Sequence, residues 1–378
     1  MTKDKGAGTG ARPDPSLREV VLRDMRQTGI PGRFARELED LYHFYLDEER
    51  RDRLASMGWL KRGVLFYGWL FRSLLMKLTP ARRLALLAAL LLVLLRRMHL
   101  SLPGLDLVLY VWVLGVALLI IVLMLELKDK LLARDEIEIA RQVQLALLPR
   151  RHPRPDGWSV WSYTRPANDV GGDLVDYLEM EGRLGIAIGD VAGKGLGAAL
   201  LMAKLQATLR AVAPEIPSLE ALGDRLNTIL LRDGLENRYA TLFYLEIAPE
   251  SGRLRYLNAG HNPPFALRAS GIETMDAASP PVGMLGSARF VEQSLELAPG
   301  EMLVAYSDGV TEARDARDQE LGAERLRGIA AGLQGLSAGE AGARLLAEIE
   351  RFIGEARLQD DLSLLVVARS APLITRPS

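Results

Sequence analysis

The chain has 378 residues, 49% of them apolar, enough for a sizeable core and for two or three structural units. It has no cysteine and four histidines, which excludes a disulfide framework, thiolate metal sites and a cysteine nucleophile, and leaves little material for a zinc centre. Formal charge is −1, from 47 basic and 48 acidic residues, so there is no global basic field and nucleic acid is not an expected partner.

Residues 1–16, MTKDKGAGTGARPDPS, are polar and lack an apolar core segment, which predicts a disordered lead, no cleaved secretory signal and a cytoplasmic start. Residues 17–79 read as a helical module. Phe34, Leu38, Leu41, Tyr42 and Tyr45 recur at helical spacing, and Trp59, Phe66, Tyr67, Trp69 and Phe71 then mix with Lys61, Arg62, Arg72 and Lys77. That mixture suits a membrane interface or, alternatively, a buried helix of a soluble domain.

Within residues 80–127 lie two apolar blocks, 84–95 and 107–125. The second has nearly the ~20 residues that a helix needs to cross roughly 30 Å of hydrocarbon. The first, at about 18 Å, is too short alone and also reads as an interfacial or re-entrant segment. Arg72, Lys77, Arg82 and Arg83 precede the pair and Lys128, Lys130 and Arg134 follow it, so a hairpin with spans at about 84–99 and 107–125 keeps both basic flanks inside. Arg96 and Arg97, facing outward, count against that arrangement, and the alternative is a single span, which would put either the basic N-terminal region or the C-terminal domain outside. The expectation is a multi-pass protein of the cytoplasmic membrane, its C-terminal domain in the cytoplasm. The loop MHLSLPGLD is too short for an external ligand-binding domain.

Residues 128–149 read as a helical connector with Ile139, Val143, Ala146 and Leu147 on one side, ended by Pro149. This side either pairs with a second copy as a short coiled coil, making a homodimer, or packs on its own domain. RRHPRPDG marks a boundary, leaving a domain at 150–370 and a tail at 371–378. In that domain, β-like runs at 158–163, 184–188, 239–247, 254–258, 302–306 and 362–367 alternate with helical runs near 196–212, 218–232, 322–333 and 337–354. The runs at 239–247 and 254–258 flank the turn Pro249, Glu250, Ser251, Gly252, so an antiparallel sheet layered with helices is expected rather than a parallel one.

Four acidic signatures punctuate these runs: VGGDLVD at 170–176, GDVAGKG at 189–195, SDG at 307–309 and QDDLS at 359–363. Each sets an aspartate beside glycine or at the edge of an apolar run, as needed to aim several carboxylates at a hard metal ion. Alone, Asp308-Gly309 is most often a turn and Asp360-Asp361 a solvated strand cap; the ordered set is what speaks for a metal-dependent hydrolase. GDVAGKG is not a nucleotide loop, because three residues separate Gly189 from Gly193 and Gly195 stands where serine or threonine is needed.

The order VGGDLVD, GDVAGKGLGAALLMA, NAGHNPP, SDGVTEA, DDLSLLVV resembles the SpoIIE-type, RsbU-like branch of the metal-dependent serine/threonine protein phosphatases over about residues 135–370. The resemblance implies an α+β fold, an αββα sandwich of two antiparallel sheets between helical layers, with metals in a cleft at one end of the sheets. It implies two Mn²⁺ or Mg²⁺ ions, with Asp190 bridging, the carbonyl of Val191 coordinating, Asp308 and Asp360 as further ligands, Asp361 as the alternative to Asp360, and Asp173 at an outer position. Leu174 and Val175 replace the commoner aromatic pair of the family without removing a ligand. Asp176 is either an orienting group or a surface hydrogen-bonding residue. Lys194 either lies near substrate phosphate or is solvated, and His261 is either a general acid or a structural turn residue.

By that resemblance the reaction is direct attack of metal-held water on phosphoserine or phosphothreonine of a signalling protein, for example an anti-sigma-factor antagonist. The alternatives are a catalytically silent membrane scaffold of the same fold and a hydrolase of small phosphomolecules.

Overall fold

The computed structural model describes residues 59–95, 98–102, 105–149, 151–233, 238–248 and 253–370. The lead at 1–16, the helical run at 17–56, Arg96 and Arg97, the turn at 249–252 and the tail at 371–378 lie outside the described residues. By backbone contacts the chain forms two compact units, Met1–Asp129 and Lys130–Ser378.

In the first unit, helices α1 (Trp59–Lys77) and α2 (Pro80–Leu95) precede a two-stranded antiparallel ribbon, β1 (Met98–Leu102) and β2 (Leu105–Leu109). Helix α3 (Val111–Leu147) follows and crosses the boundary between the units. A side chain at Gly115 would meet the Ala89 carbonyl and Val93 at 2.8 Å, so glycine is what lets α3 lie against α2. Arg82 ties the start of α2 to α3, 2.8 Å from Glu126 and 2.7 Å from Asp129.

The two-span hairpin needs correction. Among the described residues one helix, α3, is long and apolar enough to cross a membrane. Helix α2 has 16 residues, about 24 Å at 1.5 Å per residue, and falls short of roughly 30 Å of hydrocarbon. The segment expected to be a loop pairs as β1 and β2, and Leu107 to Leu109 belong to that ribbon, so the apolar helix begins at Val111. The connector is not a separate helix either; it continues α3 without a break.

In the second unit, two five-stranded antiparallel sheets face each other. One has the order β10 (Gln293–Glu296), β7 (Arg253–Ala259), β6 (Ala240–Ile247), β5 (Arg183–Val191), β4 (Leu174–Met180). The other runs β3 (Trp158–Arg165), β12 (Leu362–Arg369), β11 (Met302–Tyr306), β8 (Phe265–Arg268), β9 (Gly271–Thr274). Period-two alternation makes the layers. Along β11, Leu303 and Ala305 join Ile186, Ile188, Phe243, Leu365 and Val367 between the sheets. Met302, Val304 and Tyr306 face the other way, onto α7 (Gly322–Ala331) and α8 (Ala338–Ile353). On the outer face of the first sheet, Ala187 and Val191 pack under α4 (Leu196–Val212) and α5 (Leu219–Asp233).

The result is the αββα sandwich the resemblance implied. Its central strands are buried on both faces, which is why MLVAY and LLVVA read as continuous apolar runs. Helix α8 starts at a capping box, Ser337 accepting from the Glu340 N–H, and buries Ala341, Leu345, Ile349 and Ile353 as one stripe.

Candidate metal centre

The antiparallel pairing brings four chain segments to the same end of the sandwich. Asp173 immediately precedes β4, whose Leu174 pairs with Gly189 of β5, and Asp190 is the next residue along β5. On the facing sheet, Asp308 opens a one-turn helix, α6 (Asp308–Thr311), just past β11, and Asp360 and Asp361 lead into β12 opposite it. Five aspartates scattered over nearly two hundred residues of sequence thus converge.

Their surroundings favour a cation. Both carboxylate oxygens of Asp173 and Oδ1 of Asp308 are buried without a hydrogen-bond partner. Ser307 and Ser363 lie beside Asp173, but their hydroxyls donate elsewhere, to the Asp361 carbonyl at 3.0 Å and to Thr164 at 2.8 Å. Burial, with Asp190 and Asp361 nearby, pushes Asp173 well above the usual carboxylate range. Asp190 is pushed up to about 7 by burial and by the charges of Asp308, Asp360 and Asp361. Asp308 is raised by burial and by Asp360 and Glu312.

Crowded, half-desolvated carboxylates with orphaned oxygens have the donor chemistry of a hard divalent ion. Glycine leaves the room: a side chain at Gly172 would press on the Val191 carbonyl at 3.2 Å and on Asp190 Oδ1 at 3.3 Å, and one at Gly309 would collide with the Asp361 carbonyl. Among the described residues no group of three or more His, Asp or Glu side chains is positioned to hold an ion as it stands. Beside the cluster, the Lys194 ammonium sits 2.8 Å from Asp360 Oδ2 and donates to the Gln359 carbonyl at 2.8 Å.

The remaining expected residues separate clearly. Asp361 is burdened with backbone work: Oδ1 accepts from the Ala167 N–H at 2.7 Å and Oδ2 from the Gly172 N–H at 2.5 Å. Asp360 instead faces Lys194. His261 is buried and held below the usual imidazole range, to about 4, by desolvation. Its Nδ1 lies 2.9 Å from Thr241 Oγ1, which accepts from the Asp190 N–H at 3.2 Å, while its Nε2 is buried without a hydrogen-bond partner. Asp176 is not at the surface; it is fully buried and held by Arg210 through two bonds of 2.6 and 2.7 Å.

Several residues carry no signal in the sequence. Arg238 packs its guanidinium over Gly193, in the glycine-rich turn that follows Asp190, and over Gly197 at the start of α4, with Nη1 buried and without a partner. Gln144 of α3 is 8% exposed and grips Gly171 from both sides: Nε2 donates to its carbonyl at 2.6 Å and Oε1 accepts from its N–H at 3.0 Å. Gln206 and Arg210 both donate to the Leu147 carbonyl at the end of α3, at 2.9 and 3.4 Å. Residues 130–147 are therefore built onto the C-terminal unit at the loop that carries Asp173. Gln144→Ala should cost about 1–3 kcal/mol by stranding two buried backbone groups; thermal melts of the 378-residue chain measure it, and an unchanged midpoint would show that the clamp contributes nothing.

Charge crowding also fixes a pH dependence in metal-free protein. Asp190 titrates at about 7 when folded, against 3.8 ordinarily. The folded state therefore holds the proton more tightly, and stability falls as pH rises from about 4, levelling off above about 7. Melts in EDTA should show the midpoint dropping over that window; a flat or rising midpoint would mean that the carboxylates do not repel each other as the geometry implies.

Two facing antiparallel sheets between helical layers, with an aspartate cluster at one end, define the PP2C-type phosphatase fold. The chain belongs to the SpoIIE family: the profile described as Stage II sporulation protein E (SpoIIE) matches residues 180–370. It is 35% identical over 230 residues to Protein IcfG of Synechocystis sp., covering 53% of this chain and 36% of that protein. It is 32% identical over 187 residues to the phosphoserine phosphatase RsbP of Bacillus subtilis, covering 48% and 46%. The chain thus spans less than half the length of these two relatives. Among solved structures, the RsbU and RsbW domains of Rv1364c from Mycobacterium tuberculosis match with a TM-score of 0.51 at 25% identity, covering 58% of this chain and 62% of that one.

Proposed function

We propose that this chain is a membrane-anchored protein phosphatase that hydrolyses phosphoserine or phosphothreonine on a cytoplasmic signalling protein, with an anti-sigma-factor antagonist as the substrate class. The convergence of Asp173, Asp190, Asp308 and Asp360, with oxygens orphaned in a SpoIIE-family domain, carries this reading. The name of RsbP, a phosphoserine phosphatase, supports the choice of substrate.

The donor set suits Mn²⁺ or Mg²⁺, two ions by the family resemblance; Asp190, Asp308, Asp360, Asp173 and the Val191 carbonyl would hold them. Bound there, such ions neutralise phosphate charge and acidify a water molecule. The chain's own part is placement. Gly172 and Gly309 keep the floor open, and Thr241 holds the backbone of Asp190. Lys194 must leave Asp360 for that carboxylate to serve as a ligand, and a released ammonium beside the cleft would attract the substrate's phosphate. Helix α3, apolar and largely exposed over its first half, supplies the anchor. Exposed Ile139 and Val143, further along the same helix, suit pairing with a second copy.

The test is phosphate release by the 378-residue chain in detergent, from p-nitrophenyl phosphate and from a phosphoserine peptide, with Mn²⁺ and with EDTA. Metal-dependent release from both is expected. A folded chain that binds Mn²⁺ and releases none would be the silent scaffold, a reading favoured by the lysine already seated on Asp360.

A further inference from the structure

One wall of the aspartate cleft backs onto a second cavity, of about 620 Å³, that none of the roles above uses. Arg165, Ala167 and Asn168 form one side, Glu350 and Arg357 another. Its position is fixed by the cleft itself. Arg165 pairs in register with Leu362, two residues beyond Asp360, and the Ala167 N–H donates to Asp361. Arg357 precedes Gln359 and Asp360 on the loop entering β12.

The chemistry is that of a carboxylate receptor. Arg165, Arg357 and Glu350 are its charged lining residues, beside an acidic cleft. Arg165 touches Glu350 through one nitrogen only, at 3.2 Å, while its Nε is buried and has no partner. The pair is 37% and 46% exposed, and such an ion pair is worth only ~0–1 kcal/mol, so an incoming carboxylate can displace Glu350 from Arg165. A side chain two to four positions from the phosphorylated residue lies about 7–13 Å along an extended chain, within reach of a cavity that shares a wall with the cleft.

We propose that this cavity receives an acidic side chain of the phosphoprotein substrate, flanking the phosphorylated residue, with Arg165 as its partner. The proposal rests on the phosphatase reading and adds a sequence preference to it.

The experiment uses the 378-residue chain with phosphoserine peptides carrying Glu, Ala or Lys at positions two to four on either side, and p-nitrophenyl phosphate as a substrate with no flanks. Wild type should prefer one Glu peptide over its Ala counterpart by roughly tenfold to a hundredfold in kcat/KM, the worth of charge-assisted hydrogen bonds. Arg165→Ala should erase that preference and leave p-nitrophenyl phosphate turnover unchanged, and Arg165→Glu should invert it toward Lys.

Equal rates on Glu and Ala peptides would overturn the proposal. So would an Arg165→Ala loss that is as large on p-nitrophenyl phosphate, which would put the arginine on the phosphate or in the fold. If wild type hydrolyses nothing, the phosphatase reading has failed and fluorescence anisotropy decides the cavity separately: tighter binding of the Glu peptide, lost in Arg165→Ala, supports it, and equal affinities overturn it.

Discussion

Replacing Asp190 by asparagine should abolish Mn²⁺-dependent phosphate release while making the metal-free protein more stable. The two effects share one cause. Asp190 stands among Asp308, Asp360 and Asp361, and their charges with burial raise its pKa to about 7. Removing a negative charge from that cluster relieves repulsion, so the melting midpoint in EDTA near pH 8 should rise. With metal the sign reverses. The neutral amide is a poor bridge between two cations, and losing about 4 kcal/mol of transition-state stabilisation is roughly a thousandfold in rate. Calorimetric Mn²⁺ titration beside the phosphatase assay separates the arms. A variant that is less stable without metal, or that keeps wild-type turnover, would remove Asp190 from the proposed centre.

Arg210→Ala should be the most destabilising single change outside the apolar core. It leaves the Asp176 carboxylate fully buried with no counter-charge, and removes one donor from the Leu147 carbonyl. Breaking a buried pair from one side costs about 3–5 kcal/mol. The lower end applies, because the arginine side chain is 45% exposed and water can enter where it was. For a unit of this size about 3 kcal/mol is roughly 6–12 °C in Tm. Adding Asp176→Asn should recover part of the loss, since the stranded charge and not the missing arginine is the main penalty. A single variant melting with wild type would mean that the pair is neutral; a double variant no better than the single would locate the cost in the lost contact to α3.

The strands and helices read from periodicity are mostly those observed. MLVAY and the LLVVA stretch of β12 are apolar throughout because both faces are covered, and GLGAALLMAKLQATLRAV carries its buried stripe at helical spacing. The four-residue strands β8, β9 and β10 escaped because so few residues hold no period. Strand β4 escaped because Asp176 interrupts its apolar run, and that interruption is tolerated only by an arginine arriving from α4. The membrane region was misread for a related reason. Apolar content marks residues that avoid water without saying whether Leu107 to Leu109 extend a helix or pair in a ribbon.

The sequence by itself determined the composition of the centre: aspartates beside glycines, in an order shared with a phosphatase family, on the edges of strands. Local chemistry suffices for that, because tight turns demand glycine and hard ions demand carboxylates. What each aspartate touches was decided by tertiary structure. Asp360 and Asp361 are adjacent and alike, yet one meets Lys194 while the other is consumed by the N–H groups of Ala167 and Gly172. The grip of Gln144 on Gly171, the place of His261 beside Thr241 and the arginine-lined cavity likewise join residues far apart in the chain. Such pairings leave no trace in spacing, because packing of whole layers, and not the neighbouring residues, brings the partners together.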